Sequence, residues 1–355
     1  VLMRSLIKED GFHDIDPYFF STTTTGPNAP KHPLQKDGVI KNSYDLDELS
    51  QVDIIVSCQG SDYTKKVYEN LRKKSWTGYW LDAASHLRRE EKSTLLLDPV
   101  NHRQITEALQ AGKKDFIGAN CTVSLMLLAI HGLIKENLVE WIHSATYQAV
   151  SGSGSAAIKN LLDDMKQMGK TSEQDEQKIH ILDQMGLIHN QFKKSYPGEK
   201  NLASNVLPWI DKEESPGKTL EEAKGFYETN KILGLKEPIP LDGTCVRVPV
   251  LRSHSQVLTL KLKKDLKRED FEKIIAQDNK WVKVIPNQRE SSLTSLNPLT
   301  TSSTFDILVG RARKLNLPGN FFEVFTVGDQ LLWGASEPIR RGLKLIVDFL
   351  SKKGL

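Results

Sequence analysis

Over the first 120 residues of this 355-residue chain, short runs that are apolar throughout alternate with amphipathic helical stretches, and few folds accept that order. "DPYFFST" (16–22) reads as a strand, and "VDIIVSCQG" (52–60) as a buried strand entering a turn at Gly60. "DYTKKVYENLRKK" (62–74) follows as an amphipathic helix. "GYWLDAAS" (78–85) and "STLLLDPV" (93–100) read as further strands, "HRQITEALQAG" (102–112) as a helix closed by Gly112, and "DFIGANC" (115–121) as another strand. Strands without polar alternation suit burial on both faces. The pattern predicts a doubly wound parallel sheet, a fold that binds ligands beyond the carboxyl ends of its strands.

The character changes after residue 138. "LVEWIHSATYQAV" (138–150) reads as a long strand, and "SGSGSAAIKNLLDDM" (151–165) as a Gly/Ser turn leading into a helix. Residues 166–200 are polar and read as a long surface excursion. In "QVLTLKLKKD" (256–265), Leu258, Leu260 and Leu262 alternate with Thr259, Lys261 and Lys263, the signature of a strand with one buried and one wet face. The last segment reads as a helix with Pro338 in its first turn and Ile339, Leu343, Ile346 and Leu350 as its apolar stripe. Two domains are expected: an α/β domain of residues 1–120 joined by the closing helix at 331–355, and an α+β domain with a mixed sheet over 121–330.

Forty-eight basic against 45 acidic residues leave a net charge of +3, too even to argue for nucleic acid or a membrane surface. The lysines of 256–265 lack the interleaved aromatics of a nucleic-acid face. No apolar run approaches the roughly 20 residues of a bilayer span. Three widely spaced cysteines, Cys58, Cys121 and Cys245, suggest a reducing compartment, and we expect a cytoplasmic protein without a metal site.

Cys121 falls where a strand ends and a helix begins. There the helix dipole would lower the thiol pKa and make a nucleophile; the other reading is a small buried residue. Gln148 ends a strand beside a glycine turn whose N–H groups could face an anion. Arg247 and His254 share one apolar segment, where both are costly to bury without partners. Glu228 and Lys231 lie three apart, on one face of a helix, as a ligand-binding pair or a surface ion pair. Arg88 follows a strand end.

Taken jointly, "GANCTVSLM", "ATYQAVSGSG", "LPWIDKE", "ETNKIL", "CVRVPVLRSHSQ", "VGRARKLN" and "FTVGDQLLWGASEPIRR" resemble aspartate-β-semialdehyde dehydrogenase of the Gram-negative bacterial type, over essentially the whole chain. The resemblance implies a Rossmann-type domain and a catalytic domain that forms a homodimer. It implies NADP- and phosphate-dependent oxidation of L-aspartate-β-semialdehyde to β-aspartyl phosphate, run in reverse toward lysine, methionine and threonine. Cys121 matches the family nucleophile, His254 the general acid/base, and Gln148 the residue that orients the intermediate. Arg247 matches the clamp on the substrate carboxylate and Glu228 the group at its ammonium; Arg88, Lys231 and Asn120 match the phosphate-binding set. Ser21, Thr22, Gln59, Ser151, Gly152 and Gln330 match NADP contacts. Hydroxyls at 21 and 22, where an acid would bind the ribose of NAD, favour NADP.

The family also opens with a strand and a Gly-rich phosphate turn. No G-x-G-x-x-G occurs in residues 1–60, and "VLMRSLIKED" already reads as helix, so a preceding segment is expected. Two other readings stand beside this one. In the first, the chain dimerises or binds ligand without turnover. In the second, a related reductase acts on an N-acetylglutamyl or glyceraldehyde substrate, and the carboxylate of Glu228 speaks against it.

Overall fold

The computed structural model describes residues 1–9, 11–23, 25, 39–175, 183, 185–190 and 202–354, with the backbone alone at 171–175. The chain divides into two compact units. One comprises Val1–Leu127, Tyr227–Pro238 and Leu332–Leu355, the other Leu128–Phe226 and Ile239–Leu331. Residues 227–238, which the sequence reading assigns to the catalytic domain, cluster instead with the first unit.

The first unit is built on a parallel four-stranded sheet in the order Ile54–Ser57, Tyr79–Asp82, Asp115–Gly118, Thr94–Leu96. Period-two alternation decides what each face meets. Tyr79 and Leu81 share one cluster with Phe116, Leu96, Ile105, Leu109 and the stripe Ile339, Leu343 and Ile346 of the closing helix Glu337–Lys352. Trp80, between them, meets Tyr63 and Tyr68 of the helix Ser61–Lys73, with ring centroids 6.5 and 5.4 Å away. Both faces are covered, so the doubly wound sheet expected from the apolar runs is present.

Three boundaries differ from the sequence reading. The strand expected over 93–100 stops at Leu96, and a helix starts at Asp98 because Pro99 suits a first helical turn. Within that helix Asn101 leaves helical geometry, and its side chain accepts from Leu97 N and donates to Leu95 O. Of 16–22 only Phe20–Ser21 pairs, with Lys41–Asn42; Pro17 has no N–H to offer a ladder. The helix after the Gly/Ser turn runs Ser155–Asp175, past the expected start of a surface excursion at 166; most of 176–200 lies outside the described residues.

The second unit is a six-stranded mixed sheet in the order Leu241–Arg247, Val139–Gln148, His254–Leu262, Phe321–Gly328, Ile307–Lys314, Val282–Val284. The first two strands run parallel, with Arg247 opposite Gln148; the third runs antiparallel to Val139–Gln148, with Ser255 opposite Tyr147. This register brings Arg247, Gln148 and His254 to one end of three neighbouring strands. Leu258, Leu260 and Leu262 are buried as the alternation predicts. Phe271 of the helix Arg268–Asp278 stacks on Phe322 at 4.7 Å between centroids. Gly243 lets the first two strands approach: a Cβ there would lie 2.0 Å from the Ser144 carbonyl oxygen. Gly243→Ala is therefore expected to destabilise the protein by about 1–3 kcal/mol. An unchanged denaturant midpoint would contradict the close approach.

Candidate functional site

In the first unit the strand Asp115–Gly118 passes to the helix Cys121–Lys135 across two residues. Asn120 closes the helix: its Oδ1 accepts from Thr122 N at 2.9 Å, Val123 N at 3.3 Å and Thr122 Oγ1 at 2.6 Å. Cys121 is the first helical residue and is half-buried, where the partial positive charge of a helix N-terminus favours a thiolate.

The backbone N–H of Asn120 donates to Glu228 Oε2 at 2.6 Å, and Glu228 Oε1 accepts from Arg88 Nη1 at 3.0 Å. Both side chains of that ion pair are buried. Arg88 also donates through Nη2 to Ala83 O, while its buried Nε has no hydrogen-bond partner. Lys231 donates to Arg88 O at 2.8 Å, Glu90 O at 2.6 Å and Ser93 Oγ at 3.0 Å, which uses all three ammonium hydrogens. Burial, and then the charge of Lys113, lower its pKa below the ordinary lysine value. Five expected residues thus come together, and the unpartnered donor that an anion could engage is Arg88 Nε.

Ser21, Thr22 and Gln59 form a second group in this unit. Thr22 Oγ1 donates to Gln59 Oε1 at 3.3 Å, and Ser21 Oγ accepts from Thr23 N at 3.2 Å. Gln59 precedes Gly60, whose φ of +92° turns the chain into the helix Ser61–Lys73. Hydroxyls and an amide beside the strand ends fit the polar sugar and phosphate groups of a nucleotide.

In the second unit one residue, Ala149, holds two candidates. Its N–H donates to His254 Nδ1 at 3.0 Å, and its carbonyl accepts from Arg247 Nη1 at 2.8 Å. An N–H aimed at Nδ1 places the proton of the neutral ring on Nε2, which is buried without a hydrogen-bond partner. Gly152 lies against both side chains; a Cβ there would be 3.2 Å from Arg247 Nη1 and 3.4 Å from His254 Nε2. Ser151 and Gln330 are joined through Ser151 Oγ and Gln330 Nε2, and Gln330 Oε1 accepts from Ser253 N at 2.8 Å. The anion-binding turn expected here is not formed by its backbone. The N–H groups of Val150, Ser151, Gly152 and Gly154 are each taken by a carbonyl, because the turn closes as the short 3-10 helix Val150–Ser153 packed on Val250 and Leu251.

Sequence reasoning missed Glu221. Its Oε1 accepts from Gln148 Nε2 at 3.2 Å, and its Oε2 pairs with Lys224 Nζ at 2.9 Å; Lys224 in turn pairs with Asp211 at 2.8 Å. Burial pushes the Lys224 pKa down, but Glu221 and Asp211 outweigh it and hold the ammonium charged. The signal that could have found this corner is "TLEE". Thr219 and Glu222 bond reciprocally, Thr219 N to Glu222 Oε2 at 2.8 Å and Glu222 N to Thr219 Oγ1 at 3.2 Å, a capping box that fixes the start of the helix Leu220–Leu233.

Among the described residues no group of three or more His, Cys, Asp or Glu could hold a metal ion, and no helix is long and apolar enough to cross a membrane.

Burial first, and then the Arg247 charge, lower the His254 pKa from 6.5 to about 3; the Glu221 charge opposes them. The unfolded chain therefore binds this proton more readily than the fold. The group's contribution is fully favourable above pH 6.5 and is lost as the pH falls toward 3. Between pH 7 and pH 5, His254→Gln should lose less stability than the parent, by up to about 1.4 kcal/mol per pH unit. Parallel denaturation curves at the two pH values check this; equal losses would contradict a neutral buried ring.

The family model described as "Semialdehyde dehydrogenase, NAD binding domain" matches residues 2–108, and "Semialdehyde dehydrogenase, dimerisation domain" matches residues 130–333. The structure of aspartate semialdehyde dehydrogenase from Francisella tularensis is 48% identical, with a TM-score of 0.93 over 97% of this chain and 95% of that one. Aspartate semialdehyde dehydrogenase II from Vibrio cholerae, complexed with ASA, shares the fold at 21% identity and a TM-score of 0.75, covering 99% of this chain and 95% of that one. The Candida albicans aspartate semialdehyde dehydrogenase with NADP does so at 15% identity and 0.64, covering 94% and 91%. With two matched domains and a 48%-identical relative along nearly its full length, the chain belongs to the aspartate semialdehyde dehydrogenase family.

Proposed function

We propose that this protein oxidises L-aspartate-β-semialdehyde to β-aspartyl phosphate with NADP and phosphate, through a thioester on Cys121, and runs in reverse in lysine, methionine and threonine biosynthesis. The observation that carries the reading is Cys121 at the start of a capped helix, in a chain 48% identical to a protein of that enzyme name. A homodimer built through the domain matched at residues 130–333, working in the cytoplasm, belongs to the same reading.

The Cys121 thiolate adds to the aldehyde carbon. Bound NADP supplies the hydride acceptor. The thioester that remains on sulfur is attacked by phosphate, which forms the acyl–oxygen bond and releases the thiolate. His254 acts at Nε2, the nitrogen that carries the ring's proton once Nδ1 accepts from Ala149; as a hydrogen-bond donor it stabilises the charge that gathers on the substrate oxygen when the thiolate adds. Gln148 orients the intermediate. The planar guanidinium of Arg247 suits the substrate carboxylate, and Glu228 the ammonium.

Arg88 contributes its open Nε–H to phosphate, Lys231 contributes charge, and Asn120 keeps the helix end that faces an anion in place. Ser21, Thr22 and Gln59 would hold the adenosine side of the cofactor with hydroxyl and amide donors. Ser151, Gly152 and Gln330 are assigned to it as well, Gly152 by leaving space beside Arg247 and His254.

NADPH formation from the semialdehyde should require phosphate, fall at least about 10³-fold in Cys121→Ser, and run at least about tenfold better with NADP than with NAD. Activity retained by the serine variant would remove Cys121 from the chemistry.

A further inference from the structure

We propose that Asp329 is a positioning residue for His254: buried beside the turn that leads into the histidine, it holds Arg252 and Ser253 so that the imidazole keeps its place against Ala149. The inference rests on the reaction proposed above, in which His254 acts at Nε2.

His254 is the first residue of its strand, and Gly328, the last residue of the strand Phe321–Gly328, lies opposite it. The chain that leads into His254 therefore lies beyond the ladder between these strands. It also passes through a costly conformation. Ser253 has a φ of +74°, where a side chain crowds its own backbone. A residue stays in such a conformation only when its surroundings over-determine it.

Asp329 and Gln330, the two residues after Gly328, supply that constraint. Asp329 is fully buried. Its Oδ1 accepts from Leu331 N at 2.9 Å, which closes its own turn, and its Oδ2 accepts from Ser303 N at 2.6 Å. Oδ2 also lies 2.8 Å from Arg252 Nε, a charge contact outside hydrogen-bond geometry. Gln330 Oε1 accepts from Ser253 N at 2.8 Å, and the hydroxyls of Ser253 and Ser302 are hydrogen-bonded at 2.9 Å. One carboxylate with its neighbour thus ties together the segments 252–253, 302–303 and 329–331. Loosening this knot lets Ser253 relax toward negative φ and carries His254 with it. The ring then loses the 3.0 Å bond from Ala149 N to Nδ1, and with it the choice of Nε2 as the protonated nitrogen.

Asp329→Asn keeps the size, removes the charge that faces Arg252, and leaves one acceptor oxygen for two N–H groups. The expected result is a fall of about tenfold in kcat, with KM for the semialdehyde within about twofold. Adding Ser253→Gly, which takes the left-handed φ without strain, should recover at least about threefold of that loss. In a His254→Asn background, Asp329→Asn should change the residual kcat less than about twofold, because the group through which it acts is gone. An equal loss in both backgrounds, or no recovery with glycine, would overturn the proposal.

A second readout needs no turnover. The ring 15N signals of His254 in labelled protein, identified by their absence in His254→Asn, report the tautomer. The parent should show the Nε2–H form alone, Asp329→Asn a mixture of both forms, and the added glycine a return to the first. The Nε2–H form alone in Asp329→Asn would refute the positioning role even if the enzyme is active. If Asp329→Asn does not fold, Arg252→Gln, on the half-buried side of the same pair, decides the matter. A kcat about threefold lower and a mixed tautomer are then expected, and parent values for both would contradict the proposal. A parent chain without semialdehyde turnover would sink the reading of the reaction, while the ring signals still decide the position of His254.

Discussion

The carboxylate of Glu228 joins segments far apart in the chain: it binds the guanidinium of Arg88, which follows the strand Tyr79–Asp82, and the backbone N–H of Asn120, which precedes Cys121. Both of its oxygens are used, and Arg88 and Asn120 are buried. Removing one partner of a buried pair leaves the other charge uncompensated, at about 3–5 kcal/mol. The place of Cys121 therefore depends on a bond made by the peptide before it. The same pairing directs Nη1 and Nη2 of Arg88 to protein acceptors and leaves Nε as the donor for a ligand.

Ala149 has the corresponding role in the second unit, with backbone groups where the first unit uses a side chain. One peptide nitrogen sets the tautomer of His254 and one carbonyl aims Arg247. The strand register delivers these residues to a common end of the sheet before any side-chain contact is made. Glycine at 152 then keeps space beside both, which a methyl group would narrow. Precision here comes from rigid strands and main-chain bonds, the arrangement in which a small displacement is costly to catalysis.

Legibility in the sequence followed how local each cause is. The buried strands and the stripe of the closing helix were readable because period and burial are written in neighbouring residues, as at Leu258, Leu260 and Leu262. Cys121 at a helix start was readable because the apolar run 115–118 gives way directly to a helical pattern. The strand expected through 93–100 failed on Pro99, whose preference for a first helical turn outweighed the apolar run before it. The Gly/Ser turn at 150–154 failed because its N–H groups found carbonyls instead of staying open, a choice made by the packing of 250 and 251. "TLEE" marks the helix start on which Glu221 stands, but the contact with Gln148 was not legible because the two lie 73 residues apart. Family resemblance, not pattern, supplied the roles of Arg247, Glu228 and Lys231. The structure adds that all three ammonium hydrogens of Lys231 are already engaged.

The central claim is that the thiol of Cys121 carries the acyl group. Incubating the protein with NADP and L-aspartate-β-semialdehyde in the absence of phosphate, then digesting it at acid pH for mass spectrometry, tests it directly. The account predicts an aspartyl thioester on the peptide that contains Cys121, discharged when phosphate is added. An adduct confined to Cys58 or Cys245, or NADPH formed with no acyl group on any cysteine, would contradict it.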